Sequence, residues 1–272
     1  TRLVEGDVVR VPPVRIAEPA QMASVNAAQT KSRAHAYLDK MPVLFEDEAL
    51  LIVDKPSGLA VHGGSGIALG VIETLRIARP ELKFLELVHR LDRDTSGVLL
   101  LAKKRSALVE LHRQIRENQT DKRYYLLAHG EIKQGAQVMQ LKYPLHKYLL
   151  PNGERRVRVD PEGLPSHTAL RVTKVMQRDD AAITLAEAQL KTGRTHQIRV
   201  HLQKLGHAIL GDDKYGFEDR DKQIKSKRLY LHAHLAGFTH PRTGEKMRIE
   251  SPIPAEFTAM MKTFEQVNSI QE

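Results

Sequence analysis

Apolar positions begin to organise at Pro42. VLFEDEALLIVDKP sets two short apolar runs around an acidic turn and predicts a pair of strands, and the continuous run GVLLLAK predicts a buried strand. After Ser106, read as an N-cap, Leu108, Leu111 and Ile115 recur at helical spacing. KRYYLLAHG returns to strand character, and ALRVTKVM and AITLAEAQL predict two strands joined by the turn QRDD. Thr195 is placed to cap a helix with Ile198, Leu202 and Leu205 on one face, and Gly206 to stop it. RLYLHAHLAGFTH and KMRIESP predict a hairpin around PRTG, and PAEFTAMMKTF predicts a last helix. Strands outnumber helices and connections are short. The expected fold class is therefore α+β: a mixed, largely antiparallel central sheet with flanking helices.

The first forty residues break this pattern. LVEGDVVRVPP predicts one strand closed by Pro12 and Pro13, which cannot donate to a ladder, and the polar, Ala/Gln-rich stretch after it predicts a linker or arm.

Composition narrows the partners. The chain of 272 residues carries 42 Lys+Arg against 33 Asp+Glu, a formal charge of +9, which suits a polyanion because basic side chains neutralise phosphates and release counterions. The basic residues are spread along the chain, with local density at GERRVR (153–158) and KSKR (225–228). The absence of cysteine excludes disulfides, thiolate zinc sites and cysteine nucleophiles, and with them the zinc base deaminases. No apolar run approaches the about 18 residues of a membrane-crossing helix, so a soluble, cytoplasmic protein is expected, with no membrane partner.

The candidate chemistry centres on HRLDRDTSG, His89 to Gly97, where Asp92 stands among Arg90, Arg93 and Asp94. A surface ion pair with Arg90 or Arg93 is the ordinary reason for such a neighbourhood. A metal ligand and a nucleophile held ionised by cations are the alternatives. The histidines give little support to a metal. His196 and His201 are not at the i, i+4 spacing that stacks ligands on a helix, and His232 and His234 lack an acidic ligand at a recognisable spacing. The glycine loop in HGGSGIALGVIETL matches neither GxGxxG nor GxxxxGK[ST], and no serine nucleophile elbow occurs. Asp92 and Asp94 are too near in one loop to flank a sugar bond. GDDKYG, Gly211 to Gly216, is expected to be a structural or RNA-facing loop whose carboxylates repel phosphate.

Three stretches share charged turns beside apolar elements: HRLDRDTSG, DKRYYLLAHG and LKTGRTHQIRVHLQKLGHAILGDDKYG. HRLDRDTSG resembles the HRLDxxTSG signature of the RluA-type pseudouridine synthases, and TGRTHQIRVHL and RLYLHA resemble later motifs of that family. The resemblance runs from about Val43 to Ile253. It implies isomerisation of uridine to pseudouridine in structured RNA, without cofactor or metal, and within the family it points to members that modify 23S ribosomal RNA. Another rRNA or tRNA uridine, and a non-catalytic RNA-binding assembly factor, are the competing readings.

Carried over by position, the resemblance implies Asp92 as catalytic aspartate, Tyr124 as active-site tyrosine and Arg194 as its basic partner. Arg90, Arg93 and His89 are expected on the RNA, and the protein is expected to be a monomer. It also implies a division into residues 1–18, the remnant of an S4-like RNA-binding domain, 19–41, a linker or arm, and 42–272, a pseudouridine synthase catalytic domain. The chemistry breaks N1–C1′ and forms C5–C1′ with no redox change, and a carboxylate can add to C6 of the base or act at the sugar. Either route needs Asp92 ionised in a dry pocket, where desolvation disfavours the charge and a fixed cation restores it.

Overall fold

A computed structural model describes residue 34, residues 36–63, 69–133, 137–179 and 181–266. The strand and most of the arm expected in the first forty residues lie outside that set. Five helices are described: α1 (Val71–Ala78), α2 (Arg105–Arg116), α3 (Gln197–Lys204), α4 (Glu218–Ile224) and α5 (Ala255–Lys262). The strands are β1 (Val43–Glu46), β2 (Leu50–Lys55), β3 (Glu86–Leu87), β4 (Ser96–Ala102), β5 (Asp121–His129), β6 (Met139–Leu141), β7 (Leu145–Leu149), β8 (Arg155–Val159), β9 (Thr168–Arg178), β10 (Ala181–Leu190), β11 (Leu231–Thr239), β12 (Lys246–Glu250) and β13 (Glu265–Gln266).

The main sheet runs β1-β2-β4-β11-β5-β10-β9-β13, with β3 on β4, β12 on β11 and β6 on β9. Among the described pairings only β4 with β11 is parallel. This is the α+β architecture expected from the sequence. The period of two sorts the central ladder into two cores. Leu51, Val53, Leu99 and Leu101 face the larger one with α1, α3 and α5, while Leu50, Ile52, Val98 and Leu100 face the smaller one under α2. Burial on both faces explains why β4 reads as an unbroken apolar run.

Two helix starts differ from expectation. Ser106 lies inside α2, whose N-cap is Lys104, and α3 begins not after Thr195 but after His196, which takes a left-handed backbone with φ 52°. A non-glycine residue in that region is uncommon, so spacing alone does not reveal it. The hairpin β7–β8 was unread in the sequence. Only Leu145 and Val157 of it are fully buried, against Val200 and Tyr215, and its remaining positions are dominated by Arg, Lys and His.

Gly97 is fixed by its neighbours. Its φ of 112° and the close approach of β11, where an added Cβ would lie 2.2 Å from the Ala233 carbonyl oxygen, exclude any other residue. In register, Gly97, Ala233, Tyr124 and Ala188 form one row across β4, β11, β5 and β10. The end of HRLDRDTSG is thereby locked in the same row as the tyrosine, with β11 between them.

Candidate active site

The loop carrying Asp92 is held from beneath by a buried cation. Lys55, with no exposed surface, donates from Nζ to the carbonyls of Pro56 (2.9 Å), Leu59 (2.8 Å) and Arg93 (2.9 Å). Ser57 Oγ donates to the Asp94 carbonyl at 2.7 Å, and the Thr95 N–H turns back to the Asp92 carbonyl at 3.2 Å. Burial lowers the Lys55 pKa to about 7, with the charges of Asp94 and Asp92 opposing the shift. The unfolded chain therefore binds a proton that the folded chain lacks between about pH 7 and the ordinary lysine value of 10.5, so this group's contribution to stability rises with pH across that window. Lys55→Met is expected to cost about 3 kcal/mol by stranding buried carbonyls, and to remove that rise. Chemical denaturation at a series of pH values checks both.

Asp92 does not pair with Arg90 or Arg93. Arg93 turns to Asp94 (3.2 Å) on the surface, and Arg90 is exposed. The partner is Arg199, whose Nη1 donates to Asp92 Oδ2 at 3.1 Å. The same guanidinium grips Asp212 with two bonds, Nε to Oδ2 at 2.8 Å and Nη2 to Oδ1 at 2.6 Å, and reaches Asp213 at 3.0 Å. Arg199 and Asp212 are buried, while the Asp92 side chain keeps 30% exposure and so can meet a substrate. The flanking carboxylates hold the guanidinium above its already high pKa against the opposing effect of burial, so it stays charged.

Arg194, the expected basic partner, stands elsewhere. It lies in the turn before α3, where its backbone N–H donates to Gln197 Oε1 and its exposed side chain donates from Nε to the Pro165 carbonyl at 3.1 Å. Arg199, the third residue of α3, is turned inward by the helix. The ion-pair role therefore belongs to Arg199.

His196 and Tyr215 complete the pocket. The Tyr215 hydroxyl accepts the Val157 N–H at 3.0 Å and shares a hydrogen bond of 2.7 Å with His196 Nδ1. His196 Nε2 faces Asp92 Oδ2 at 3.7 Å, too far for a hydrogen bond. Burial lowers the His196 pKa, with Asp92 opposing the shift and Arg199 and Lys214 adding to it, and so favours the neutral imidazole. Burial also pushes the Tyr215 phenol up to about 12.

Tyr124 and Tyr125 point to opposite faces of β5. Tyr125 stacks on His234 with ring centroids 3.8 Å apart, on the face of Glu187. Tyr124 is buried on the other face, where burial and then the charge of Asp92 raise its pKa far above the usual phenol value. Of the two, Tyr124 is the one in the field of Asp92, and its hydroxyl is neutral at physiological pH.

His89, expected on the RNA with Arg90 and Arg93, is not with them. Its Nε2 accepts the Leu100 N–H at 3.2 Å, and burial together with Lys122 lowers its pKa to about 4. It shapes the loop as a neutral acceptor. His232 and His234 are also engaged within the protein, by Ser96 Oγ at 3.0 Å and Glu187 Oε1 at 2.9 Å. Among the described residues no group of three metal-ligating side chains converges.

The sequence reading missed Arg199, Asp212, His196 and Tyr215. Of the two expectations for GDDKYG, a structural or an RNA-facing loop, Asp212 fits the structural one: it faces inward and anchors the cation.

Known proteins show the family and the fold. Residues 49–204 match the family model described as RNA pseudouridylate synthase. The chain is 51% identical over 255 residues to ribosomal large subunit pseudouridine synthase C of Yersinia pestis, covering 93% of this chain and 76% of that protein. It is 51% identical over 257 residues to the Escherichia coli K12 protein of the same name, covering 93% and 77%. In structure it is similar to human RNA pseudouridylate synthase domain containing 4, with TM-score 0.68 at 24% identity, covering 89% of this chain and 100% of that one. Human RNA pseudouridylate synthase domain containing 1 gives 0.69 at 22%, covering 85% and 91%. The chain belongs to the RNA pseudouridylate synthase family, and it is a pseudouridine synthase.

Proposed function

We propose that this chain converts selected uridines of 23S ribosomal RNA to pseudouridine, with residues 42–272 as its catalytic domain, working as a cytoplasmic monomer without cofactor. The observation that carries the reading is the half-open Asp92 carboxylate held by the buried Arg199–Asp212 pair beside Tyr124. A binding module has no use for a reachable carboxylate so expensively fixed, because a carboxylate repels phosphate. The relatives' shared name, ribosomal large subunit pseudouridine synthase C, supports the choice of RNA. Among the described residues no helix is long and apolar enough to cross a membrane.

In this reading Asp92 is the reactive carboxylate, and it meets a uridine turned out of its helix into a dry pocket. Arg199 keeps it charged and aimed, and the His196 ring borders the same oxygen without bonding to it. Tyr124 stacks on the base and offers a neutral hydroxyl at the reacting edge. Arg90 and Arg93, both exposed, contact the RNA strand. Release of tritium from C5-labelled uridine in unmodified 23S rRNA tests the reaction. Release from tRNA alone would replace the substrate, and release from neither would remove the enzymatic role.

Tyr124→Phe separates stacking from the hydroxyl. The variant is expected to fold and bind RNA normally but to lose about 100-fold in single-turnover rate. A larger defect in Tyr125→Phe would show that the other face of β5 meets the base.

A further inference from the structure

At the start of β5 beside the turn before α3, Asn118, Thr120, Lys122, His167, Lys191 and Thr192 are among the residues lining a groove of about 400 Å³. That volume is in the range of small-ligand sites. Lys122 precedes Tyr124 by two residues on the same face of β5, a separation of about 7 Å along the strand. Its Nζ sits under the Thr192–Arg194 turn, where an added Cβ on Gly193 would come within 3.6 Å of it.

The surroundings of Lys122 are one-sided. Burial lowers its pKa, and among the described residues it forms no ion pair with a carboxylate. His167, on the same groove, donates from Nε2 to Gln140 Oε1 at 2.6 Å, and burial together with Lys142 and Lys191 keeps it neutral. A half-buried ammonium without a counter-charge is costly unless an anion completes it. The catalytic cluster shows why an anion site is needed here. Asp92, Asp212 and Asp213 surround the single guanidinium of Arg199, so that pocket repels phosphate. Attraction for the RNA must come from beside it.

We propose that this groove binds a phosphodiester of the RNA strand next to the uridine held at Asp92, with Lys122 as the anchoring cation and Lys191 at the rim. The proposal rests on the RNA-modifying role above. It assigns to Lys122 a function distinct from that of Tyr124, although both belong to one short stretch of β5.

The test uses Lys122→Met and Lys191→Gln in the full chain with a stem-loop excised around a modified uridine. Each variant should weaken binding and reduce the slope of log affinity against log salt by about 0.7 to 0.9, the contribution of one phosphate contact. Lys122→Met should melt at or above the wild-type temperature, since it removes an unpaired half-buried charge. Scanning a neutral methylphosphonate along the strand should reveal one linkage near the uridine that weakens wild-type binding and is silent in Lys122→Met. Unchanged salt slopes in both variants overturn the proposal. A flat methylphosphonate scan overturns it too, even if inorganic phosphate shifts the His167 resonances, because the groove would then take free phosphate alone. Wild-type tritium release stays intact in either case, whereas failure of the RNA-modifying role removes that release and leaves the binding results standing.

Discussion

Asp92→Asn is expected to abolish turnover, by about 10⁴-fold or more, while RNA binding and fold remain. Asparagine preserves the shape, and its oxygen can still accept from Arg199 Nη1, so the expected loss of stability is only about 1 kcal/mol. What disappears is the charge and the nucleophilic or basic oxygen. Affinity for RNA should hold or improve slightly, because one of three carboxylates around Arg199 has been neutralised. Single-turnover tritium release at saturating RNA measures the chemistry apart from binding. Retained activity would end the assignment of Asp92 as the reacting group, and with it the mechanism built on this pocket.

The sequence singled out Asp92 more readily than its supports, and the reasons are physical. HRLDRDTSG is a compact signature because the loop must place Asp92, turn at Thr95 and pass under β11 at Gly97 within a few residues. The choice of Tyr124 over Tyr125 rested on the family resemblance, whose K-x-Y spacing from Lys122 singles it out; strand alternation only puts the two tyrosines on opposite faces. Arg199 was hidden behind Arg194. Both lie in one short block, and choosing between them requires knowing where α3 begins, which depends on the left-handed backbone of His196. Asp212 was harder still. An acidic pair in a glycine-bounded loop looks solvent-facing until the fold brings it against the arginine that holds Asp92, far away in the chain. The fold class followed from patterning because the central strands alternate or run continuously apolar. The β7–β8 hairpin escaped because its few inward side chains sit among charges.

Arg199→Met should produce two separable losses. The first is structural. Asp212 has no exposed side-chain surface and takes two bonds from this guanidinium, so removing it leaves a buried carboxylate without its cation and costs about 3 to 5 kcal/mol. Backbone donors from Lys214 and Tyr215 to Asp212 Oδ1 remain, at 3.0 Å each, and should keep the loop folded at moderate temperature. The second loss is catalytic. Without Nη1 at 3.1 Å, Asp92 is neither aimed nor electrostatically supported, and single-turnover rate should fall by about 100-fold or more. The sign of the pH effect distinguishes the two. A carboxylate deprived of its neighbouring cation ionises less readily, so the acid limb of the rate profile should move to higher pH, whereas loss of folded protein alone lowers the rate without moving that limb. Asp212→Asn supplies the contrast: it retains Arg199 beside Asp92 and should leave the acid limb near its wild-type position even where it loosens the loop. An unshifted limb in Arg199→Met would reduce the arginine to a structural tie. Arg194→Met, by comparison, removes an exposed side chain bonded to the Pro165 carbonyl and should leave the limb unmoved.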